Sequence, residues 1–377
     1  MTRYVDVHRP MSIIRSRSLD SQLLRMICKE YHPFSLVEDN EFKEFVRMLC
    51  HSYTLPSRKT LTNSLLPASY NEVLLEVKDE LQHASAVSLT SDGWTNINNM
   101  SFYALTAHFI DRCGTLKSYL LECSEFNEKH TGENIASWIA QVLKTFNIDF
   151  KITAIVTDNA ANMKSAASIL NIRNVSCYAH SLNLAVQNAI AKSIKLVVDK
   201  VKLIVQFFKK STSALSKLVD MQKPLNKAQL KLKQDVPTRW NSTFDMLDRV
   251  LINKEPIVST LALLDSTLSL DSSEWDVIEH SVNMLRTFHD VTVEISSEQS
   301  VSLSKTCVLY RIMIKKMSTF PDASLPQSVR MLKTELVTGL QKRFGSIEDN
   351  ELRSQAVLLD PRFKKQAFGD DSKFQLA

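Results

Sequence analysis

The sequence has 377 residues, 44% apolar and 23% charged, with a net charge of +5, an ordinary globular composition at a length that suits about two to three domains. No apolar run reaches the roughly 18 residues of a membrane helix, and the N-terminus lacks the apolar core of a secretory signal. The six cysteines (Cys28, Cys50, Cys113, Cys123, Cys177, Cys307) are scattered without a C-x-x-C, which argues against a disulfide framework or a complete zinc finger and fits a reducing, intracellular setting.

Residues 1–18 are basic and polar with no clear period and are expected to be loose. From about Leu19 the pattern is helical, with Leu23, Leu24, Ile27 and Cys28 on one face. Phe42, Phe45, Val46 and Leu49 share another face, with Glu38, Asp39 and Glu41 suited to its first turn. Pro56-Ser57 opens a further short helix, and Ser69 can cap one over residues 70–83. Residues 19–85 therefore read as a helical N-terminal region.

After Ala86 the period changes. Val87 and Leu89 alternate with Ser88 and Thr90 as a first strand, closed by Ser91, Asp92 and Gly93. Strands over 101–110 and 116–123 flank a turn at 111–114, where Gly114 is a hairpin signal. A helix over 131–146 places Ile135, Trp138, Ile139, Val142 and Leu143 on one side. The β-branched run 152–157 drives into Asp158, a helix covers about 160–170, a short strand covers 174–177, and a helix starts near His180. This order is that of an RNase H-like fold, in which the first and fourth strands are adjacent and parallel.

Asp92 and Asp158 would then project side by side at the carboxyl ends of strands, where α/β sheets place ligands. Two close carboxylates repel unless a cation lies between them, which points to a divalent-metal site. On the aspartates alone, capping of the turns or helices that follow is the stronger reading.

Cys177 and His180 form half of a zinc set. His108, Cys113 and Cys123 lack a spacing that completes it, so no zinc site is expected. Cys177 reads as packed in the sheet, and His180 as hydrogen-bonded near a helix start. The stretch 192–233 carries eleven lysines against Asp199 and Asp220, hence +9. Apolar residues thread it at helical spacing, so it is a packed helix with a basic outer face, and Lys209, Lys210 and Lys217 are candidate phosphate contacts. Arg239-Trp240 follows Pro237. A Trp here can stack an unpaired base, and a core Trp is nearly as strong a reading. Helical stripes follow, with linkers at 266–273 and 320–328.

Together these segments carry a resemblance. SLTSDGWT (88–95), AIVTDNAANM (154–163), CYAH with SLNLAVQ (177–187) and VPTRWNSTFDML (236–247) occur in that order, with PFSLVEDNEF (33–42), LPSRKTL (55–61) and LLDPRFK (358–364) around them. The sequence resembles the hAT superfamily of DNA transposases, especially the BED-type zinc-finger proteins derived from them. The resemblance implies an α/β protein: a helical N-terminal region, an RNase H-like core with a mixed sheet over 86–191, a basic helix and linker over 192–240, and a truncated all-α insertion domain over 241–377. It implies that Asp92 and Asp158 are the first two catalytic acids and Mg²⁺ ligands, that Arg239 and Trp240 handle nucleic acid near the cleavage site, and that DNA is the partner.

The Cys/His set of a BED finger and the Ser-Glu-Arg block with the third acid have no counterpart in this sequence. The expectation is therefore a transposase-derived, nucleic-acid-binding nuclear protein, associated with transcription or chromatin and catalytically vestigial. It would form a homo-oligomer only if the C-terminal block is dispensable. The competing expectation is an active metal-dependent hAT transposase or nuclease.

Overall fold

The computed structural model describes residues 11–224, 228–296, 301–322, 324–369 and 371–376. The chain forms two compact units. One comprises Met1–Val87, Phe109–Tyr119 and Ala140–Ile152, and the other Ser88–His108, Leu120–Ile139 and Thr153–Ala377.

The first unit opens on α1 (Ile13–Lys29), six residues earlier than the periodicity indicated, because the Ser12 hydroxyl accepts from Arg15 N and caps it. Residues 1–10 of the expected loose N-terminus lie outside the described residues. Leu23, Leu24 and Ile27 bury against Val37 and Leu61. Asp39 caps α2 (Asn40–Leu49) by accepting from Glu41 N and Phe42 N. Ser57 caps α3 (Arg58–Thr60), which runs through a single wide turn, Leu61–Leu65, into α4 (Leu66–His83). Ser69 is thus inside a helix and not its cap. Within this unit Gln82 Nε2 donates to the Phe146 and Asn147 carbonyls at 3.1 and 3.2 Å, and the Tyr119 hydroxyl to Glu80 at 2.9 Å.

A five-stranded mixed sheet runs in the order β3-β2-β1-β4-β5, with β1 (Val87–Thr95), β2 (Ser101–Ile110), β3 (Leu116–Glu125), β4 (Ile152–Thr157) and β5 (Asn174–Ser176). β1 and β2 are antiparallel, and β4 and β5 are parallel. The β2–β3 turn is closed by Asp111 Oδ1, which accepts from Cys113 N and Thr115 N, while Gly114 takes φ 79°, the left-handed region glycine tolerates. β1 is longer than its apolar run. Its register with β2 continues through Asp92↔Ala104 to Thr95↔Ser101. The next turn is fixed by Asn96 Oδ1, which accepts from Asn98 N and Met100 N. Asp92 therefore lies inside a strand and not at its end.

The helices that follow are α5 (Gly132–Phe146), α6 (Ala161–Ile169), α7 (Tyr178–Ser193), α8 (Lys195–Lys210), α9 (Thr212–Gln222), α10 (Trp240–Ile252), α11 (Lys254–Leu263), α12 (Ser272–Ile295), α13 (Lys305–Thr319), α14 (Gln327–Phe344), α15 (Glu351–Leu359) and α16 (Asp371–Leu376). The basic stretch is not one helix: Lys192 lies near the end of α7, α8 and α9 follow, and Lys231 and Lys233 lie beyond them outside any helix. From α7 onward a single buried cluster runs from Tyr178 to Phe368, so the later helices share their core with α7 and α8. α7 and α14 approach closely at Gly339, where an added Cβ would stand 3.3 Å from the Ala185 Cβ. No helix among the described residues is long and apolar enough to cross a membrane.

Candidate metal and nucleic-acid site

β4 ends at Thr157, and Asp158 follows it. The backbone there is held from the β5 side: Cys177 N donates to the Thr157 carbonyl at 2.8 Å, and Asn174 Nδ2 to the buried Thr157 hydroxyl at 2.8 Å. β1 and β4 are neighbours, and the Ser88 and Thr153 hydroxyls meet at 3.2 Å near their starts. Further on, Asp92 within β1 and Asp158 just past β4 line one cleft of about 60 Å³ with Ser91, Gly93, Tyr103 and Asn162. A contact near the start and a shared cleft further on mean that the two strands run the same way.

Each carboxylate commits one oxygen to backbone. Asp92 Oδ1 accepts from Gly93 N, and Asp158 Oδ1 from Ala160 N, both at 3.0 Å. Capping-type bonds and convergence on one cleft thus occur together. The second oxygen of each has no hydrogen-bond donor among the described residues. Hard cations such as Mg²⁺ take oxygen ligands and keep several waters, so the pair fits a hydrated ion bound through one oxygen from each residue. Among the described residues no group of three or more His, Cys, Asp or Glu gathers as a metal site.

Tyr103 was not marked by the sequence. It sits opposite Gly93 in the register, and a Cβ at Gly93 would come within 2.6 Å of its ring. Burial, and then the Asp158 carboxylate, push its phenol above the ordinary value. The available signal was a glycine and an aromatic placed to meet across a hairpin, legible only once the register is known.

Cys177 is the half-buried N-cap residue of α7, with a free thiol. His180 lies half-buried in the first turn, and its ring makes no hydrogen bond with the described residues, unlike the expected helix-start contact.

Trp240 corrects the base-stacking expectation. It is 1% exposed, lies 6.3 Å from the Phe244 ring, and belongs to the helical core. α10 turns residues 240, 243, 244 and 247 onto its buried face, so the indole offers no open surface. Arg239, one residue earlier, is exposed. Its segment is pinned to α7: Asn183 Nδ2 donates to Thr238 O at 3.3 Å, Gln187 Nε2 to Pro237 O at 2.8 Å, and Trp240 N to Asn183 Oδ1 at 2.9 Å. On the side of the acid pair, Asn159 Nδ2 donates to Ser181 Oγ of the same helix at 2.9 Å.

The lysine surplus is partly cancelled by acids from distant elements. Lys192 pairs with Glu335, Lys200 with Glu274, Lys202 with Asp235 and Lys233 with Asp245, while Lys195 and Lys223 pair locally with Asp199 and Asp220. Lys209, Lys210 and Lys217 are exposed and have no ion pair among the described residues. They lie at the end of α8 and on α9.

Asp235 anchors the segment before Arg239. Burial pushes its carboxyl up, but bonds from Lys202, Thr243 and Ser242 outweigh this and hold it below the ordinary range.

Two family models match in succession: the ZBED1 RNase-like domain over residues 90–184 and the ZBED1 RNase-like helical domain over 175–284. Zinc finger BED domain-containing protein 4 of Homo sapiens is 26% identical over 380 residues, 96% of this chain and 32% of that protein. The putative AC transposase of Zea mays is 26% identical over 387 residues, 92% of this chain and 45% of that protein. The putative AC9 transposase of Zea mays is 29% identical over 262 residues, 64% of this chain and 30% of that protein. The chain thus spans between about a third and a half of the length of these curated relatives. Two consecutive domain matches, together with relatives that are BED-type proteins and AC transposases, agree with the motif order of the sequence and support a hAT-derived, BED-type protein.

Proposed function

We propose that this chain is a transposase-derived nucleic-acid-binding protein with an RNase H-like core. In this reading it acts in the nucleus on DNA. The observation that carries it is the cleft shared by Asp92 within β1 and Asp158 just past the end of the neighbouring β4. The strand order and the RNase-like family match support the RNase H-like reading of the sheet. Exposed Lys209, Lys210 and Lys217, with Arg239 on its pinned segment, would contribute sequence-independent phosphate contacts.

Mg²⁺ would be held by the free oxygens of Asp92 and Asp158, and when bound it would polarise a phosphodiester and stabilise a leaving oxygen. The chain's own work is to fix those two carboxylates through the Gly93 and Ala160 amides and to neutralise the backbone alongside. Strand cleavage by a two-metal route needs two ions roughly 3.5–4 Å apart, and two carboxylates with one free oxygen each cannot fix both. We therefore infer that this stretch of chain binds DNA but does not cut it alone.

The test combines Mn²⁺ binding, followed by electron paramagnetic resonance, with a nicking assay on duplex and hairpin DNA. Wild type should bind Mn²⁺, Asp158→Asn should not, and neither should nick. If wild type and Asp158→Asn take up Mn²⁺ equally, the cleft is not a metal site. The second reading, an active hAT-type nuclease, is favoured by the intact acid pair, and metal-dependent nicking lost in Asp158→Asn would establish it.

A further inference from the structure

We propose that Tyr103 is a third contact group of the acid-pair cleft, donating a hydrogen bond from its hydroxyl to a non-bridging oxygen of a DNA phosphodiester seated there with a divalent cation. This rests on the metal reading of the cleft given above.

Tyr103 lies on β2 opposite Gly93 and lines the cleft with both aspartates. The ring crosses β1 only because residue 93 has no side chain, since a Cβ there would come within 2.6 Å of it. On its other sides it is wedged by Phe126, His130 and Trp138, with ring centres at 4.8, 5.6 and 5.9 Å. It is 5% exposed. Such a ring has little rotamer freedom, so its hydroxyl is fixed in advance.

That hydroxyl makes no hydrogen bond with the described residues. By contrast, the Tyr53 and Tyr119 hydroxyls donate to Asp20 and Glu80 at 2.7 and 2.9 Å. Largely buried tyrosine hydroxyls ordinarily find a partner, and here the open side is the cleft.

The chemistry of the cleft selects the ligand. Two carboxylates repel an anion until a cation bridges them to it. A phosphodiester bound that way presents a non-bridging oxygen as a strong acceptor, and a neutral phenol is a donor that does not compete for the cation. A side chain carrying a third negative charge could not fill that role.

The test uses the full 377-residue chain and Tyr103→Phe, which keeps the wedged ring. DNA affinity is read by fluorescence anisotropy at fixed ionic strength, with and without Mn²⁺, and Mn²⁺ affinity is read separately without DNA. Tyr103→Phe should lower the Mn²⁺-dependent DNA affinity about tenfold, as expected for one bond to a charged acceptor, and leave metal-free DNA affinity and Mn²⁺ affinity unchanged. An equal Mn²⁺ enhancement in both proteins overturns the proposal. So does a loss of Mn²⁺ affinity alone, which would make Tyr103 a support for Asp158. If wild type binds Mn²⁺ but gains no DNA affinity from it, the phosphate contact falls while the metal site stands; if wild type binds no Mn²⁺, both fall.

Discussion

Replacing Asp235 with Ala tests how the segment before Arg239 is held. The Asp235 residue is 8% exposed, and Oδ1 accepts from the Thr243 and Ser242 hydroxyls at 2.7 and 3.0 Å. Oδ2 stands 2.9 Å from Lys202 Nζ. The two hydroxyl bonds contribute about 1 kcal/mol each. Breaking a fully buried ion pair costs about 3–5 kcal/mol, but the Lys202 side chain is 31% exposed and regains water, so the pair is discounted to about 1 kcal/mol. The expected loss is about 3 kcal/mol, read by urea denaturation with an unchanged m-value. The pH dependence has a fixed sign. A carboxyl held below its unfolded value contributes stability that is fully present above that value, near pH 4, and is lost as pH falls through the folded value. Asp235→Asn should therefore lose stability at pH 7 and converge on wild type at low pH. An Asp235→Ala protein with wild-type urea midpoint and DNA affinity would refute the anchoring argument.

Gln at Lys209, Lys210 and Lys217 together should lower DNA affinity and reduce the log–log salt slope by about 2–3, since each phosphate contact contributes about 0.9; an unchanged slope would make these lysines a solubility face. Trp240→Ala should cost about 3–5 kcal/mol by opening a core cavity, and Trp240→Phe, if still folded, should bind DNA like wild type, whereas a specific loss of binding would restore the stacking role. Arg362, with help from the Ser304 hydroxyl, holds the Asp360 carboxyl well below the usual range. Asp360→Asn should accordingly destabilise the chain at pH 7 and make acid unfolding less steep below about pH 4; identical acid melts would count against that pairing.

Local chemistry made part of this legible. The Asp111-to-Gly114 turn, the run ending at Thr157 and the Ser57 cap each depend on neighbours within a few residues. What failed depended on partners far away in sequence. The apolar run of β1 stops near Thr90, yet the strand continues because Gly93 and Trp94 find Tyr103 and Phe102 on β2. The +9 surplus over 192–233 was counted correctly, but its neutralisation by Glu274 and Glu335 needs the packed helices. Trp240 read nearly as well buried as stacked, because a helix pattern alone does not say what covers its face.

The polar residues inside α7 make the clearest case for reading motif with structure. Asn183 and Gln187 lie four residues apart on α7, so they share a face. That spacing matches what they do: both side chains bond the backbone of residues 237–240. Ser181, two residues before Asn183, receives Asn159 from the loop after Asp158. The SLNLAVQ and VPTRWN segments are thus one device, in which a single helix ties the acid-bearing loop at one point and the Arg239 segment at the next. Asp158 and Arg239 are 81 positions apart in sequence, and the segments that carry them are both tied to polar side chains of one helix. Truncating Asn183 or Gln187 should therefore loosen the Arg239 segment while leaving Asp158 in place at the end of β4.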